Sequence, residues 1–270
     1  MNKYPMTWEQ AVAWLREQPD QQDLVKACFY DDPLVAAAKR FRDCPEWRAV
    51  RKLLPAVPGN ALDVGAGRGI SSYALAADSW QTVALEPDPS DLVGAGAIRQ
   101  ISRETGLDID VVEEWGERLP FEDAIFDVVH ARQVLHHARD LGSLCAEIGR
   151  VLKPGGLLVA TREHVIDREG DLQAFLDVHP LHRLYGGENA YTMDSYLGAL
   201  QNAGLVIRDI FNPWASDINL FPATPRDIKN AIAARYHFPF PGLIPDFVLR
   251  VMGNHVGNPG RLYSFVGVKE

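Results

Sequence analysis

Ala61-Leu62-Asp63-Val64-Gly65-Ala66-Gly67-Arg68-Gly69 is the stretch from which the fold of this chain is predicted. Apolar residues lead into an acid, glycine then stands at every second position, and residues 70–77 suit a helix. This order predicts a buried strand, a tight turn and the start of a helix. Because glycine has no Cβ atom, the turn can bend sharply and a ligand can approach its backbone N–H groups.

The glycine spacing distinguishes between ligand classes. It is G-x-G-x-G rather than the G-x-G-x-x-G of dinucleotide-binding turns. Asp63 precedes the first glycine by two residues and would end the strand, at the edge where α/β sheets bind ligands. A carboxylate there suits an ammonium group better than a pyrophosphate, so a nicotinamide-dependent dehydrogenase is disfavoured.

The glycine segment resembles motif I of the class I S-adenosylmethionine-dependent methyltransferases. A second resemblance lies in residues 126–160, which include V-L-H-H and E-I-G-R-V-L-K-P-G-G-L-L-V-A, and it indicates the small-molecule subgroup of methyltransferase-11 type. The likeness is good over residues 60–161 and moderate over 192–210. It implies an α/β fold with a seven-stranded doubly wound sheet whose last strand is antiparallel. It also implies transfer of a methyl group to an O, N or C nucleophile.

Two regions should be organised around that sheet. We expect residues 1–54 to form an N-terminal helical extension or lid, and residues 55–270 to form the Rossmann-like domain. Insertions at 162–191 and 211–258 should contribute to a lid or a substrate-binding wall, although ordinary surface packing explains them as well. The predicted strands after the first are residues 81–85, 108–113, 126–131, 157–161, 205–210 and 261–269. Capping residues predict four helix starts, at Thr7 with Gln10, Asp23, Asp140 and Thr192.

The cofactor site is predicted from strand ends and from the resemblance. Glu86 ends the second strand, where a carboxylate can accept two hydrogen bonds from ribose hydroxyls. The family often carries G-D-A-E-x-L-P-F beside the adenine, whereas this chain has Trp115 and Gly116 in place of the Asp and Ala, so Trp115 stacks on adenine or simply packs on the surface. The predicted cofactor-binding residues are Asp63, Gly65, Ala66, Gly67, Gly69, Glu86, Pro87, Trp115, Gly116, Glu117, Ala131 and Arg132.

A general base would assist the transfer when the nucleophile carries a tightly held proton. The candidates near the fourth and fifth strands are His136, Glu163 and His164, with His182 in the following segment. We expect no metal site, because the adjacent His136 and His137 lack a third ligand at a suitable spacing. Polar and aromatic residues of segment 179–191, among them Glu188, suit either substrate binding or a surface loop.

The overall composition limits the classes of binding partner and the cellular compartment that we expect for this protein. The net charge is -9 and no Lys/Arg cluster occurs, so we expect a small-molecule substrate and no nucleic acid. Three cysteines without a pattern indicate a reducing compartment. The start, Met1-Asn2-Lys3-Tyr4, lacks an apolar signal region, and no run of about 18 apolar residues exists. We therefore expect a cytoplasmic monomer or homodimer without a membrane partner.

S-adenosyl-L-methionine, with S-adenosyl-L-homocysteine as its product, is the cofactor that the resemblance implies. The alternative function is a protein that binds S-adenosylmethionine or a related nucleoside on the same fold without catalysing methyl transfer.

Overall fold

The computed structural model describes residues 5–270. Met1-Asn2-Lys3-Tyr4, from which the lack of a signal region was predicted, lie outside the described residues. The strands are β1 Asn60–Val64, β2 Gln81–Leu85, β3 Ile109–Val112, β4 Phe126–Arg132, β5 Leu152–Ile166, β6 Tyr191–Thr192, β7 Leu205–Phe211 and β8 Arg261–Lys269. The helices are α1 Trp8–Glu17, α2 Gln22–Ala27, α3 Leu34–Asp43, α4 Pro45–Arg51, α5 Ile70–Ala77, α6 Ala95–Thr105, α7 Leu141–Val151, α8 Leu172–Val178, α9 His182–Tyr185, α10 Met193–Asn202, α11 Asp217–Leu220, α12 Pro225–Arg235 and α13 Asp246–Gly253.

Seven strands form one continuous sheet in the order β3-β2-β1-β4-β5-β8-β7. The first five in this order pair in parallel, whereas β8 runs antiparallel between β5 and β7. The predicted seven-stranded α/β sheet with an antiparallel last strand is therefore confirmed. The two-residue strand β6 additionally pairs with β5. Because strand order reverses between β1 and β4, a crevice opens at the carboxyl ends of these strands.

Apolar residues cover both faces of the sheet. One buried cluster joins β1 and α5 to the N-terminal helices through side chains such as Phe41 and Trp47. The other joins β4 and β5 to α7 and α10 through side chains such as Leu144 and Tyr196. A parallel sheet is stable only when both of its faces are buried, and these two clusters meet that requirement. Within residues 5–270 no helix is both long and apolar enough to cross a membrane.

The fifth strand is longer than predicted. Residues 157–161 were expected, but β5 runs from Leu152 to Ile166, so Arg162, Glu163 and His164 belong to the strand and do not follow it. The pairing of β5 with β8 shifts register between Ala160 and Glu163, and Arg162 has φ +61° there. This bulge lets β5 continue through three polar residues, which by sequence alone indicate a loop.

Several predicted helix starts are confirmed. Thr7 and Gln10 form a reciprocal capping box at α1, while Asp140 and Thr192 cap α7 and α10. Each cap supplies an oxygen to a backbone N–H that has no partner inside the helix. The expected capping of the second helix by Asp23 is wrong, because α2 begins one residue earlier at Gln22.

A buried ion cluster attaches the N-terminal helices to the sheet. Glu46 on α4 is fully buried, and its two oxygens accept hydrogen bonds of 2.6 and 3.0 Å from Arg132 at the end of β4. Arg162 lies 3.8 Å from the same carboxylate. Burial acts to raise the pKa of Glu46, but the two arginines outweigh it and hold that pKa below its ordinary value.

Arg68 makes a second attachment, from the glycine segment to the N-terminal region. Its guanidinium donates to the carbonyl of Phe29 at 2.9 Å and to the carboxylate of Asp32 at 2.9 Å. Arg68 is itself buried. The N-terminal helices are therefore bonded directly to the turn that follows β1.

Glu46→Gln should destabilise the protein by about 3 kcal/mol, because two guanidinium groups that are only 13% and 12% exposed lose the charge that compensates them. The free energy of unfolding in urea measures the change. Asp123→Asn is the matched control, since it removes the carboxylate that pairs with Arg150 but is 77% exposed and should cost less than about 1 kcal/mol. Equal losses for the two variants would contradict the assigned role of Glu46.

Candidate functional site

The three glycines after β1 explain the G-x-G-x-G spacing. Gly65, Gly67 and Gly69 have φ values of +59°, +53° and +80°, in the left-handed region that favours glycine. At Gly65 a Cβ atom would lie 2.7 Å from Cγ2 of Val134, which belongs to the loop after β4. The turn can therefore close under that loop only if residue 65 lacks a side chain.

Glu86 lies at the mouth of the crevice, directly after β2. One carboxylate oxygen accepts the Gly67 N–H at 2.7 Å and the other accepts the Asp88 N–H at 3.0 Å. The residue is only 8% exposed, and burial raises its pKa to about 7. Glu86 thus connects the end of β2 to the glycine turn, and each of its carboxylate oxygens has a lone pair left to accept a further hydrogen bond.

Asp63 stabilises the start of the turn through contacts with β4 and α5. Its carboxylate is 2.9 Å from Nδ1 of His130, its neighbour on β4, and accepts a 2.6 Å hydrogen bond from Ser72 on α5. Both oxygens of Asp63 are therefore bonded within the protein, and the side chain is buried. Sequence reasoning missed Ser72 and His130, because neither stands in a motif of its own.

The predicted adenine segment lies above the end of β1. A Cβ atom at Gly116 would meet Leu144 at 2.6 Å and Val64 at 3.5 Å. Trp115 is 50% exposed, and the guanidinium of Arg139 lies 3.9 Å from the centre of its ring. Glu117 accepts the backbone N–H of Arg139 at 2.9 Å. The segment thus lies at the end of β1, on the same edge of the sheet as the glycine turn, and Arg139 stacks on Trp115 there.

Ala131 and Arg132 end β4, and the structure gives their side chains different surroundings. Ala131 is fully buried and pairs with Val64 at the end of β1. Arg132 points toward α4, where it forms the bidentate pair with Glu46 and lies over the ring of Phe41. Its guanidinium is therefore committed to the N-terminal helices.

Glu163 organises the loop after β4. Its carboxylate accepts the N–H groups of Val134 at 3.1 Å and His136 at 3.0 Å, and it contacts Nδ1 of His136 at 2.7 Å. The residue is fully buried, and burial raises its pKa. Because Val134 packs on Gly65, the carboxylate of Glu163 also fixes how the loop covers the glycine turn.

Three of the four predicted base candidates come together, namely His136, Glu163 and His164. The rings of His136 and His164 are 4.7 Å apart, and Nδ1 of His164 donates to the carbonyl of Gly260 at 2.6 Å. Burial lowers the pKa of His136 well below its ordinary value and that of His164 to about 3. Both rings are thus neutral at physiological pH. His182 is distant from them in the sequence and lies on a different element, buried at the start of α9.

Residues 62–160 match the sequence profile of the methyltransferase domain family. They contain the glycine turn, Glu86, the adenine segment and the end of β4. This segment is therefore similar to the methyltransferase domain, and the sheet of the whole chain has the strand order of the class I methyltransferase fold.

Relatives of the methyltransferase domain have diverse names. A ubiquinone biosynthesis O-methyltransferase from Azorhizobium caulinodans is 30% identical over 41% of this chain and 43% of that protein. A dimethylglycine N-methyltransferase from Parasynechococcus marenigrum is 33% identical over 44% and 43%. An uncharacterized methyltransferase from Mycobacterium marinum is 34% identical over 53% and 51%. The chain thus spans about half or less of the length of these relatives.

Solved structures extend the likeness beyond the matched segment. Geranyl diphosphate methyltransferase in complex with SAM (S-adenosylmethionine) superposes with a TM-score of 0.61 and 16% identity, over 99% of this chain and 97% of that one. The [4+2]-cyclase SpnF superposes with a TM-score of 0.54 and 24% identity, over 87% and 81%. At such identities the likeness establishes the fold of the methyltransferase domain and its flanking elements, but not the reaction.

Gly65→Ala should destabilise the protein by about 2–4 kcal/mol, since a left-handed φ and a clash with Val134 act together. Gly106→Ala is the matched control: φ is +70° but no atom lies within 4 Å of the added Cβ position, so only the backbone cost of about 1–2 kcal/mol applies. Urea unfolding compares the two. A smaller loss at Gly65 than at Gly106 would show that Val134 does not press on the turn.

The stability of the protein should depend on pH through Glu86. Because the folded-state pKa of about 7 lies above the ordinary 4.5, the stabilising contribution is complete below pH 4.5 and is lost as pH rises through 7. The loss relative to Glu86→Gln should reach about 3 kcal/mol. Unfolding free energies at several pH values measure it. Glu122→Gln, which alters an exposed carboxylate, is the control, and identical pH profiles for wild type and Glu86→Gln would contradict the account.

Proposed function

We propose that this protein transfers a methyl group from S-adenosylmethionine to an O, N or C nucleophile of a small molecule. The observation that carries the proposal is the Glu86 carboxylate, which is held by the Gly67 N–H beside three left-handed glycines. That arrangement combines an acceptor for two ribose hydroxyls with a turn open to close approach. The match of residues 62–160 to the methyltransferase domain family supports it.

Each predicted cofactor-binding residue has a place in this proposal. Glu86, followed by Pro87, holds the ribose, and the segment from Trp115 to Glu117 borders the adenine. The backbone of Gly65 to Gly69 and the end of β4 at Ala131 and Arg132 line the methionine part. Asp63, whose oxygens are bonded to Ser72 and His130, supports the turn and acts on the cofactor through it.

The bound cofactor supplies a methyl group already activated by a sulfonium centre, so direct in-line displacement by the nucleophile suffices. The task of the protein is to exclude water and to hold the nucleophile in line. We assign the first task to the N-terminal helices, which Arg68 and Arg132 bind to the glycine turn and to β4. The segments 162–191 and 211–258 would form the remaining walls.

A protein base is needed only when the nucleophile holds its proton tightly. Glu163 accepts two backbone N–H groups and contacts the His136 ring, so we assign it to holding the loop after β4. His182 remains a candidate base, as predicted from its place in the polar segment 179–191. The names of the relatives indicate chemically different substrates. We therefore propose that the substrate is a small molecule, and we choose no chemical class for it.

Glu86→Ala should weaken S-adenosylmethionine binding by about 1–3 kcal/mol, because hydrogen bonds to a charged carboxylate are lost. This corresponds to an increase in Kd of about 5- to 150-fold. Calorimetric titration measures it, and Glu122→Gln again serves as the exposed-carboxylate control. An unchanged Kd for Glu86→Ala would show that Glu86 does not bind the ribose of the cofactor.

Turnover is tested by incubating the protein with S-adenosylmethionine and a broad panel of hydroxylated, amino and isoprenoid metabolites. Formation of S-adenosylhomocysteine together with a methylated product supports the proposal. Tight binding of the cofactor with no product across the panel would favour the alternative, a nucleoside-binding protein without methyl transfer. Absence of binding would overturn both functions.

A further inference from the structure

Four histidines surround one buried carboxylate next to the loop after β4. The Oε2 atom of Glu188 lies 3.9 Å from Nε2 of His136, 4.0 Å from Nε2 of His137 and 3.8 Å from Nε2 of His179. Ligand atoms of His136, His164 and Glu188 all lie within 4.8 Å of one another. These N···O distances are too long for hydrogen bonds, so the rings point at the carboxylate without bonding to it.

Hydrogen bonds on the far side of the rings fix their orientation. Nδ1 of His164 donates to the carbonyl of Gly260 at 2.6 Å, and Nδ1 of His137 donates to the carbonyl of Gly187 at 2.9 Å. Since a carbonyl can only accept, Nδ1 carries a proton in both rings, which leaves Nε2 of the neutral His164 ring with a free lone pair. Nδ1 of His136 contacts Glu163 at 2.7 Å, which is the carboxylate–histidine arrangement common behind metal ligands.

The distances suit ligation of one central ion better than a direct contact. Two ligand atoms that are each about 2.0–2.1 Å from one tetrahedral ion lie about 3.3 Å apart. The separations of His136 and His179 from Glu188 exceed this by less than 1 Å, and the ligand atom of His164 lies within 4.8 Å of those of His136 and Glu188. Side-chain rotation can supply changes of this size. Glu188 is held in place on its other oxygen by the hydroxyl of Tyr185, so one carboxylate oxygen remains directed at the imidazoles.

The geometry points to a binding site for one divalent transition-metal ion, ligated by Nε2 of His136, Nε2 of His164 and the carboxylate of Glu188. His179, the less exposed of the two remaining histidines, completes a four-ligand set. A set of imidazoles with one carboxylate suits Zn²⁺, Co²⁺, Ni²⁺ or Fe²⁺, whereas Mg²⁺ and Ca²⁺ prefer oxygen ligands.

The proposal reverses the expectation drawn from sequence, which found no third ligand near His136 and His137. The fold supplies the other ligands from β5 and from the segment after α9, at positions 164 and 188. The site also borders the proposed cofactor crevice, since Glu163 bonds both His136 and Val134, and Val134 packs on Gly65. Metal binding itself does not depend on the proposed methyl transfer.

The test is a calorimetric titration of the full-length protein with Zn²⁺, after dialysis against a chelator and without S-adenosylmethionine. We expect one ion per chain, and we expect Co²⁺ in its place to give the visible absorption of a tetrahedral N/O site. Glu188→Gln and His164→Ala should each raise the Kd for Zn²⁺ by at least about 10-fold. His255→Ala changes an exposed histidine outside the cluster and should leave the Kd unchanged.

Circular dichroism and thermal unfolding establish that each variant is folded, and His179→Gln replaces any variant that is not. Lack of saturable Zn²⁺ or Co²⁺ binding by the wild type would overturn the site. So would a Kd that changes equally in Glu188→Gln and His255→Ala. Because the titration contains no cofactor, its failure leaves the proposed methyl transfer intact, and failure to bind S-adenosylmethionine leaves the metal site intact.

Discussion

The hydrogen bond from the Gly67 N–H to the carboxylate of Glu86 is the interaction on which the site depends. It joins the glycine turn after β1 to the end of the neighbouring strand β2, beside the crevice, and it requires a turn in which alternate residues adopt left-handed φ. Elsewhere around the turn, buried carboxylates are likewise matched to specific donors. Asp63 binds Ser72 and His130, and Glu163 binds the loop that covers Gly65. An unpaired carboxylate at these depths would be costly, so the polar groups largely determine the shape of the crevice.

Much of the fold could be predicted because its signals are local. The glycine turn, the apolar strands and the capping residues Thr7, Asp140 and Thr192 each depend on a few adjacent residues. The length of β5 could not be predicted, because Arg162, Glu163 and His164 indicate a loop until their pairing with β8 is known. The division at residue 54 and the lid roles of the insertions stay predictions, although α3 and α4 share a buried cluster with the sheet.

The candidate site was predictable where a residue follows directly from a strand end, as Glu86 does. Partners supplied by distant segments were missed. Glu46 lies on α4 and its arginine partner on β4, and no spacing rule connects them. The same holds for the histidines, which stand on a loop, a strand and an insertion and meet only after folding around Glu188. Their convergence depends on tertiary structure, so a motif search of the sequence has no pattern to detect.

A crystal structure of the protein with S-adenosylhomocysteine would examine the central assignment most directly. The quantity to measure is the distance between each carboxylate oxygen of Glu86 and the ribose hydroxyls. We expect both hydroxyls within about 2.5–3.0 Å of Glu86, with the nucleoside lying across the glycine turn. A nucleoside bound elsewhere, or a crevice filled by the protein's own side chains in the presence of saturating ligand, would contradict it.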